Sequence, residues 1–268
     1  MQTPPAGSPR RLFGAGDLLT TLGWTPNLPN FFRFSGLIAA LMLGFLGVTV
    51  AIGELLPIPP VLFQVLLWAG WLTWLGYFLP RHQARNLATD GNAYKHAFWR
   101  ELCFGIGFNF AMLLRPMTVG IVQGGEVGAP PLIFALGLSM AGIGIFAILE
   151  GSRQLGVSCA FFVYEYAPGV EPPVIDRGVY GLLRHPLFTG GICMSIGWAI
   201  CVGTPVALEL AVVNLGVLVP YLPVEDHRCS RSVGPRYRSY RERVGGILPR
   251  PSRALPAGEP AQSQKRPT

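Results

Sequence analysis

Six apolar stretches, each about as long as a bilayer is thick, constrain this chain more than any other feature. They are Phe34–Leu56, Pro60–Leu79, Leu102–Val122, Pro131–Leu149, Pro186–Val202 and Pro205–Leu222. A helix crossing a hydrocarbon core of about 30 Å needs roughly 20 apolar residues. Hydropathy is the better guide here than periodicity, because a lipid-facing helix is apolar nearly all round. The fifth and sixth stretches are joined only by Gly203 and Thr204, which predicts a tight helical hairpin. Composition agrees: half the residues are hydrophobic, and 21 basic plus 14 acidic side chains make only 13% charged. Soluble domains average roughly 25%. A disordered polar chain is excluded, as is a coiled coil with charged flanking positions. The expectation is an all-α polytopic membrane protein with about six transmembrane helices and no sheet.

The runs also divide the chain. Residues 1–33, with Pro4, Pro5, Gly7 and Pro9, read as a loose N-terminal arm, and no early apolar stretch suggests a secretory signal. Residues 34–150 hold four helices, 151–250 the hairpin and its flanks, and 251–268 a Pro/Ala/Ser-rich disordered tail. With the amino terminus inside, Arg10, Arg11 and Arg33 fall on one side, as do Arg81, Arg85, Lys95 and Arg100. Arg153, Arg177, Arg184 and ten Lys/Arg from Arg228 onward join them, whereas the opposite loops carry no Lys or Arg. That asymmetry predicts a multi-pass protein with both termini cytoplasmic. It also assigns the net charge of +7 to anionic lipid headgroups rather than to nucleic acid.

Arg115 is the one basic residue inside a run. Either Leu114-Arg115-Pro116 ends the third helix early and the guanidinium snorkels outward, or the arginine is buried and functional. Glu209, one turn after Pro205, is expected at the outer interface. The five cysteines form no CxxC pair and read mostly as small buried hydrophobes. His227 and Cys229 are too few for zinc, so no metal is expected.

Two polar clusters carry the chemistry. In the first, Arg184, His185 and Pro186 stand at the mouth of an apolar helix, with Pro186 suited to its first turn. The unpaired N–H groups there favour an anion, and a guanidinium grips a carboxylate bidentately. Gly190 and Gly191 then permit close approach of a ligand or of another helix. The alternative is that Arg184 and His185 anchor the helix at the headgroups while the glycines serve packing. In the second cluster, Glu225-Asp226-His227-Arg228-Cys229, the two acids either neutralise arginines or bind an ammonium or a ribose. Beyond it, Tyr237, Tyr240, Arg241 and Val244 fall at i, i+3, i+4 and i+7, a cytoplasmic amphipathic helix.

Taken together, these residues resemble a known pattern. Gly178, Tyr180, Arg184-His185-Pro186-Leu187-Phe188-Thr189-Gly190, Glu225-Asp226, Val233-Gly234, Tyr237, Tyr240 and Val244 follow the order found in integral-membrane methyltransferases. That group includes isoprenylcysteine carboxyl methyltransferase and the phospholipid N-methyltransferases. The resemblance covers about Arg153 to Pro249 and none of the first four runs. It implies S-adenosylmethionine as cofactor, held at the cytoplasmic side by Val174, Ile175 and Tyr180, by His185, Pro186, Leu187 and Phe188, and by Glu225. Arg184 and Glu225 are the residues it implies for catalysis.

Methyl transfer from a sulfonium needs in-line placement in a dry pocket rather than an enzyme nucleophile. The chain departs from the pattern at Phe188, where a tyrosine is usual, and at Asp226, the second acid. Tyr221 aligns with the arginine that meets the substrate carboxylate in the isoprenylcysteine enzymes, which argues against a prenylcysteine unless Arg115 or Arg153 supplies that charge. A pocket among the third to sixth helices must open sideways to lipid, so the expected partner is a hydrophobic or lipid substrate. A second resemblance, of Glu225–Cys229 to the end of NADPH-dependent sterol reductases, lacks the acid those enzymes carry after the Arg-His pair. A non-catalytic scaffold or small transporter is the third possibility, though no internal repeat or paired interrupted helix supports transport.

Overall fold

The computed structural model describes residues 15–78, 80–81, 93–123, 128–161 and 174–250. Arg10, Arg11, Arg85 and the tail at 251–268 lie outside the described residues. Among the described residues the fold is all helical, apart from one isolated parallel bridge between Leu183 and Gly245. The helices are α1 Gly16–Thr21, α2 Leu28–Leu55, α3 Pro60–Thr73, α4 Ala93–Ala97, α5 Cys103–Gln123 and α6 Pro131–Leu155. They continue as α7 Val157–Ala160, α8 Val179–Leu182, α9 Pro186–Val202, α10 Pro205–Val233 and α11 Pro235–Arg243. A π-turn, Trp74–Phe78, extends α3, and another, Phe98–Leu102, joins α4 to α5.

Among the described residues four helical segments are long and apolar enough to cross a membrane: Leu28–Leu55, Tyr94–Gln123, Pro131–Leu155 and Pro205–Arg231. α9 is apolar but has 17 residues, about 25 Å at 1.5 Å per residue, and α3 has 14 before its π-turn. Several ends differ from the apolar runs. α2 begins at Leu28 rather than Phe34, because Asn27 caps it by accepting from the Asn30 amide at 2.9 Å. α10 passes Leu222 and continues to Val233 through Pro220 and Pro223, so the Glu225–Cys229 cluster lies on the helix and not in a loop. The predicted hairpin forms, with Gly203 in the left-handed region (φ +73°) and Thr204 preceding α10. Residues 15–22 are no loose arm: Leu18, Leu19 and Leu22 are buried against Phe34, Phe98 and Leu102, and Ser158 accepts the Leu18 amide at 3.1 Å.

α6 and α9 pack almost backbone to backbone. A Cβ placed on Gly144 would lie 2.5 Å from the Gly190 carbonyl oxygen, and one on Gly137 would lie 2.7 Å from that of Gly197. No larger residue fits at these positions, and close glycine contact is how membrane helices gain dispersion energy without a hydrophobic drive. Gly190 is thus a packing glycine. The pairing runs antiparallel, since Gly137 meets Gly197 and Gly151 meets Pro186.

The centre of the bundle is tied by amides. Pro116 lies inside α5 and lacks the N–H that would bond the Met112 carbonyl. Gln64 Nε2 and Asn214 Nδ2 donate to that oxygen instead, at 3.1 and 3.2 Å. Asn214 also accepts from Trp68 Nε1 and from Gln64 Nε2, each at 2.7 Å, and donates to Ser195 Oγ at 2.8 Å. Four helices (α3, α5, α9 and α10) are thereby joined at membrane depth, where an unmade hydrogen bond is expensive.

Arg115 corrects the snorkelling expectation. It is 1% exposed, donates from Nη1 to Gln64 Oε1 at 2.8 Å, and stands over the Phe63 ring at 4.7 Å. The helix runs straight on through Pro116 to Gln123, so the guanidinium stays inside the bundle. Glu209 is exposed one turn into α10.

Asn214→Leu should lower stability by about 1–3 kcal/mol, because the Trp68 indole and the Ser195 hydroxyl lose their partner while buried. Thermal unfolding in detergent reads this directly, and an unchanged midpoint would show that the network adds nothing.

Candidate functional site

The site forms where the start of α9 meets the end of α10. Two strands of irregular backbone run side by side there: the Arg184 amide donates to the Gly245 carbonyl at 2.7 Å and the His185 amide to that of Gly246 at 3.2 Å. Residues 244–247 thus lie as a strap along the Arg-His-Pro turn, and Thr189 Oγ1 adds a bond to the Ile247 carbonyl at 3.3 Å. Arg184 is clamped, with Nη1 donating to the carbonyls of Val244 at 2.6 Å and Arg241 at 2.9 Å.

Asp226 holds the arrangement together. Its Oδ2 accepts from Arg184 Nη2 at 2.8 Å, and its Oδ1 meets His185 Nε2 at 2.9 Å and the Tyr237 hydroxyl at 2.6 Å. Burial pushes the Tyr237 phenol well above its usual range, so it stays protonated and donates. Tyr240, raised for the same reason, donates to the Tyr180 carbonyl at 2.7 Å. The periodicity of α11 therefore serves packing: Tyr237, Tyr240 and Val244 face inward as one apolar cluster that includes Cys229 and Val233.

Glu225, the neighbouring acid, points elsewhere. Its Oε2 accepts from the Tyr221 hydroxyl at 3.0 Å, and Arg228 grips the carboxylate with Nη2 at 2.7 Å and Nε at 3.1 Å. Successive helical positions lie about 100° apart, so one acid of the pair neutralises the Arg-His turn while the other faces open space.

That space is a cavity of about 580 Å³. Every residue named for the cofactor borders it: Val174, Ile175, Tyr180, His185, Pro186, Leu187, Phe188 and Glu225, together with Arg184. Gly191 borders it too, although a Cβ there would lie 3.0 Å from Leu113. Arg228 and Cys229 line it and were not singled out as site residues. The cavity then continues into an apolar chamber walled by Phe34, Ile38 and Met42 of α2 and by Trp71 and Trp74 of the α3 rod. These walls carried no signal in sequence, because every face of those helices is apolar. Among the described residues no group of three His, Cys, Asp or Glu side chains could hold a metal.

A helical bundle, with helices long and apolar enough to cross a membrane and a largely apolar cavity whose polar groups gather at the motif residues, is the resulting architecture. By comparison, residues 132–231 match the family model described as phospholipid methyltransferase. Two relatives from Arabidopsis thaliana match over 77 residues: Protein-S-isoprenylcysteine O-methyltransferase B at 30% identity and Protein-S-isoprenylcysteine O-methyltransferase A at 31%. The matched stretch is 28% of this chain and spans 39% of each relative's length. No solved structure matches the chain.

Tyr237→Phe removes one of three donors to the Asp226 carboxylate, and a hydrogen bond to a charged group is worth about 1.5–3 kcal/mol. The variant should unfold at lower temperature in detergent, whereas Arg238→Ala on the exposed face of α11 should not. Equal midpoints for the two variants would remove Asp226 from the centre of this account.

Proposed function

We propose that this protein transfers a methyl group from S-adenosylmethionine to a hydrophobic or amphipathic acceptor that reaches it through the membrane. The observation that carries this reading is the single cavity, polar where the motif residues lie and apolar where the first helices wall it. About 580 Å³ is within the range of small-molecule sites. The donor set suits a zwitterionic nucleoside. Arg184, whose Nε is buried without a hydrogen-bond partner among the described residues, offers a cationic N–H for a carboxylate with His185 beside it, and Glu225 offers an acceptor for an ammonium or ribose. Val174, Ile175, Tyr180 and the Pro186–Phe188 turn would enclose the remainder.

Bound there, the cofactor supplies an electrophilic sulfonium methyl. The chain's own part is to orient, to exclude water and to hold charge. Clamped by Asp226 and two carbonyls, Arg184 keeps its guanidinium fixed beside the cavity. Glu225 is held by Tyr221 and Arg228, so its carboxylate does not have to reorganise when a cation arrives. The aromatic and aliphatic chamber keeps the reacting atoms dry, and no covalent nucleophile is required.

Binding is the direct test. Purified protein in detergent should bind S-adenosylmethionine or its demethylated product, and His185→Ala or Glu225→Ala should weaken binding about ten- to a hundredfold, from roughly 1.5–3 kcal/mol per charge-assisted bond. Membranes given methyl-labelled cofactor should yield label in the organic-solvent extract. Binding of NADPH without S-adenosylmethionine would favour the reductase reading.

The topology belongs to the same reading. With α3 and α9 counted as crossing, six spans put both termini and the motif residues on the cytoplasmic face, and the Lys/Arg asymmetry supports that orientation. Reporter fusions at Gly125 and at the carboxy terminus should then report opposite sides; the same side for both would exclude it.

A further inference from the structure

Asn109 is the one side-chain amide that borders the cavity, and it has no hydrogen-bond partner among the described residues. On α5 the residues that border the cavity are Gly105, Ile106, Asn109, Phe110 and Leu113, spaced i, i+1, i+4, i+5 and i+8, which is one helical face. Asn109 sits in the middle of that face, half-buried, and its amide makes no hydrogen bond among the described residues. The other two amides inside the bundle behave differently: Gln64 and Asn214 each bond several partners. An amide left unpaired in apolar surroundings costs free energy, and a cavity-facing one is satisfied by whatever fills the cavity.

Depth points the same way. α5 and α9 run parallel, since Gly120 meets Val202 and Leu113 meets Gly191. Asn109 lies one turn before Leu113, about 6 Å along the axis, and so beside the Leu187–Phe188 turn that precedes Gly191 by the same interval. It stands where the motif residues give way to the apolar chamber.

The charges complete the argument. The two arginines that border the cavity are committed: Arg184 to Asp226 and two carbonyls, with only the Nε that the cofactor reading uses left over, and Arg228 to Glu225. The Tyr221 hydroxyl donates its hydrogen bond to Glu225. Arg115 bonds Gln64 and is absent from the cavity wall, and Arg153 pairs with Glu150 at 2.5 Å. Neither supplies the charge that a carboxylate acceptor would need.

We propose that Asn109 reads the polar end of the methyl acceptor, selecting a long-chain molecule with an uncharged hydrogen-bonding head over one ending in a carboxylate. This rests on the methyltransferase reading for the word acceptor, and its test does not use methyl transfer. Three probes of equal chain length, dodecanol, dodecanoate and dodecane, are titrated into the full chain in phosphatidylcholine nanodiscs. Trp71 and Trp74 border the cavity, so tryptophan fluorescence reports occupancy.

Dodecanol should bind wild type more tightly than dodecanoate. Asn109→Leu should weaken dodecanol about tenfold, leave dodecane unchanged or tighter, and leave the ligand-free protein at least as heat-stable as wild type. Asn109→Gln should retain part of the dodecanol affinity. Absence of dodecanol binding to wild type, equal binding to Asn109→Leu, preference for dodecanoate, or a destabilised Asn109→Leu would each overturn the proposal. Cofactor binding is measured separately, so loss of S-adenosylmethionine binding with the dodecanol pattern intact would remove the methyltransferase reading and leave the alcohol-reading amide.

Discussion

Asp226 draws together parts of the chain that sequence keeps far apart. Its two oxygens hold the guanidinium and imidazole of the Arg184–His185 turn on one side and the Tyr237 phenol of α11 on the other. Arg184, once fixed, holds the Arg241 and Val244 carbonyls with Nη1, and the backbone at Gly245 and Gly246 pairs with the turn in return. Each contact restrains the others, so the polar wall of the cavity has one arrangement. Buried ion pairs of this kind are costly to desolvate and are justified by the geometry they enforce. The strap, the helix start and Tyr240 all depend on this carboxylate being where α10 places it.

Inside the bundle a related rule applies to neutral groups. Pro116 vacates the Met112 carbonyl, and two side-chain amides from other helices fill the vacancy. The same exchange binds α3 to α10 through Trp68 and Asn214. α6 and α9 use the opposite device, presenting glycine to glycine so that bare backbone is the contact.

Legibility differed by residue. Within the pattern, Tyr180, the Arg184–Phe188 turn, Glu225, Tyr237 and Tyr240 do border one cavity, whereas Thr189, Gly190, Asp226 and Val244 do not. The Glu225–Asp226 pair was visible but its division of labour was not: the apolar run stops at Leu222, whereas the helix continues to Val233 and turns the two acids to different faces. Arg115 was visible as an anomaly, yet only the position of Gln64 and Phe63 decides that it stays buried. Leu18, Leu19 and Leu22 were overlooked because three leucines in a short polar stretch are no signal until Phe34 and Phe98 are beside them.

By itself, then, the sequence determined the helical membrane architecture, the tight hairpin and the motif. Run length, charge asymmetry and residue spacing are local quantities. Tertiary structure decided which faces of uniformly apolar helices line a chamber, which acid ties the fold and which faces the cavity, and that among the described residues Asn109 has no partner while Asn214 has several. In a bilayer both sides of a helix are apolar, so hydrophobicity carries no information about which side meets protein. Only packing geometry can supply it.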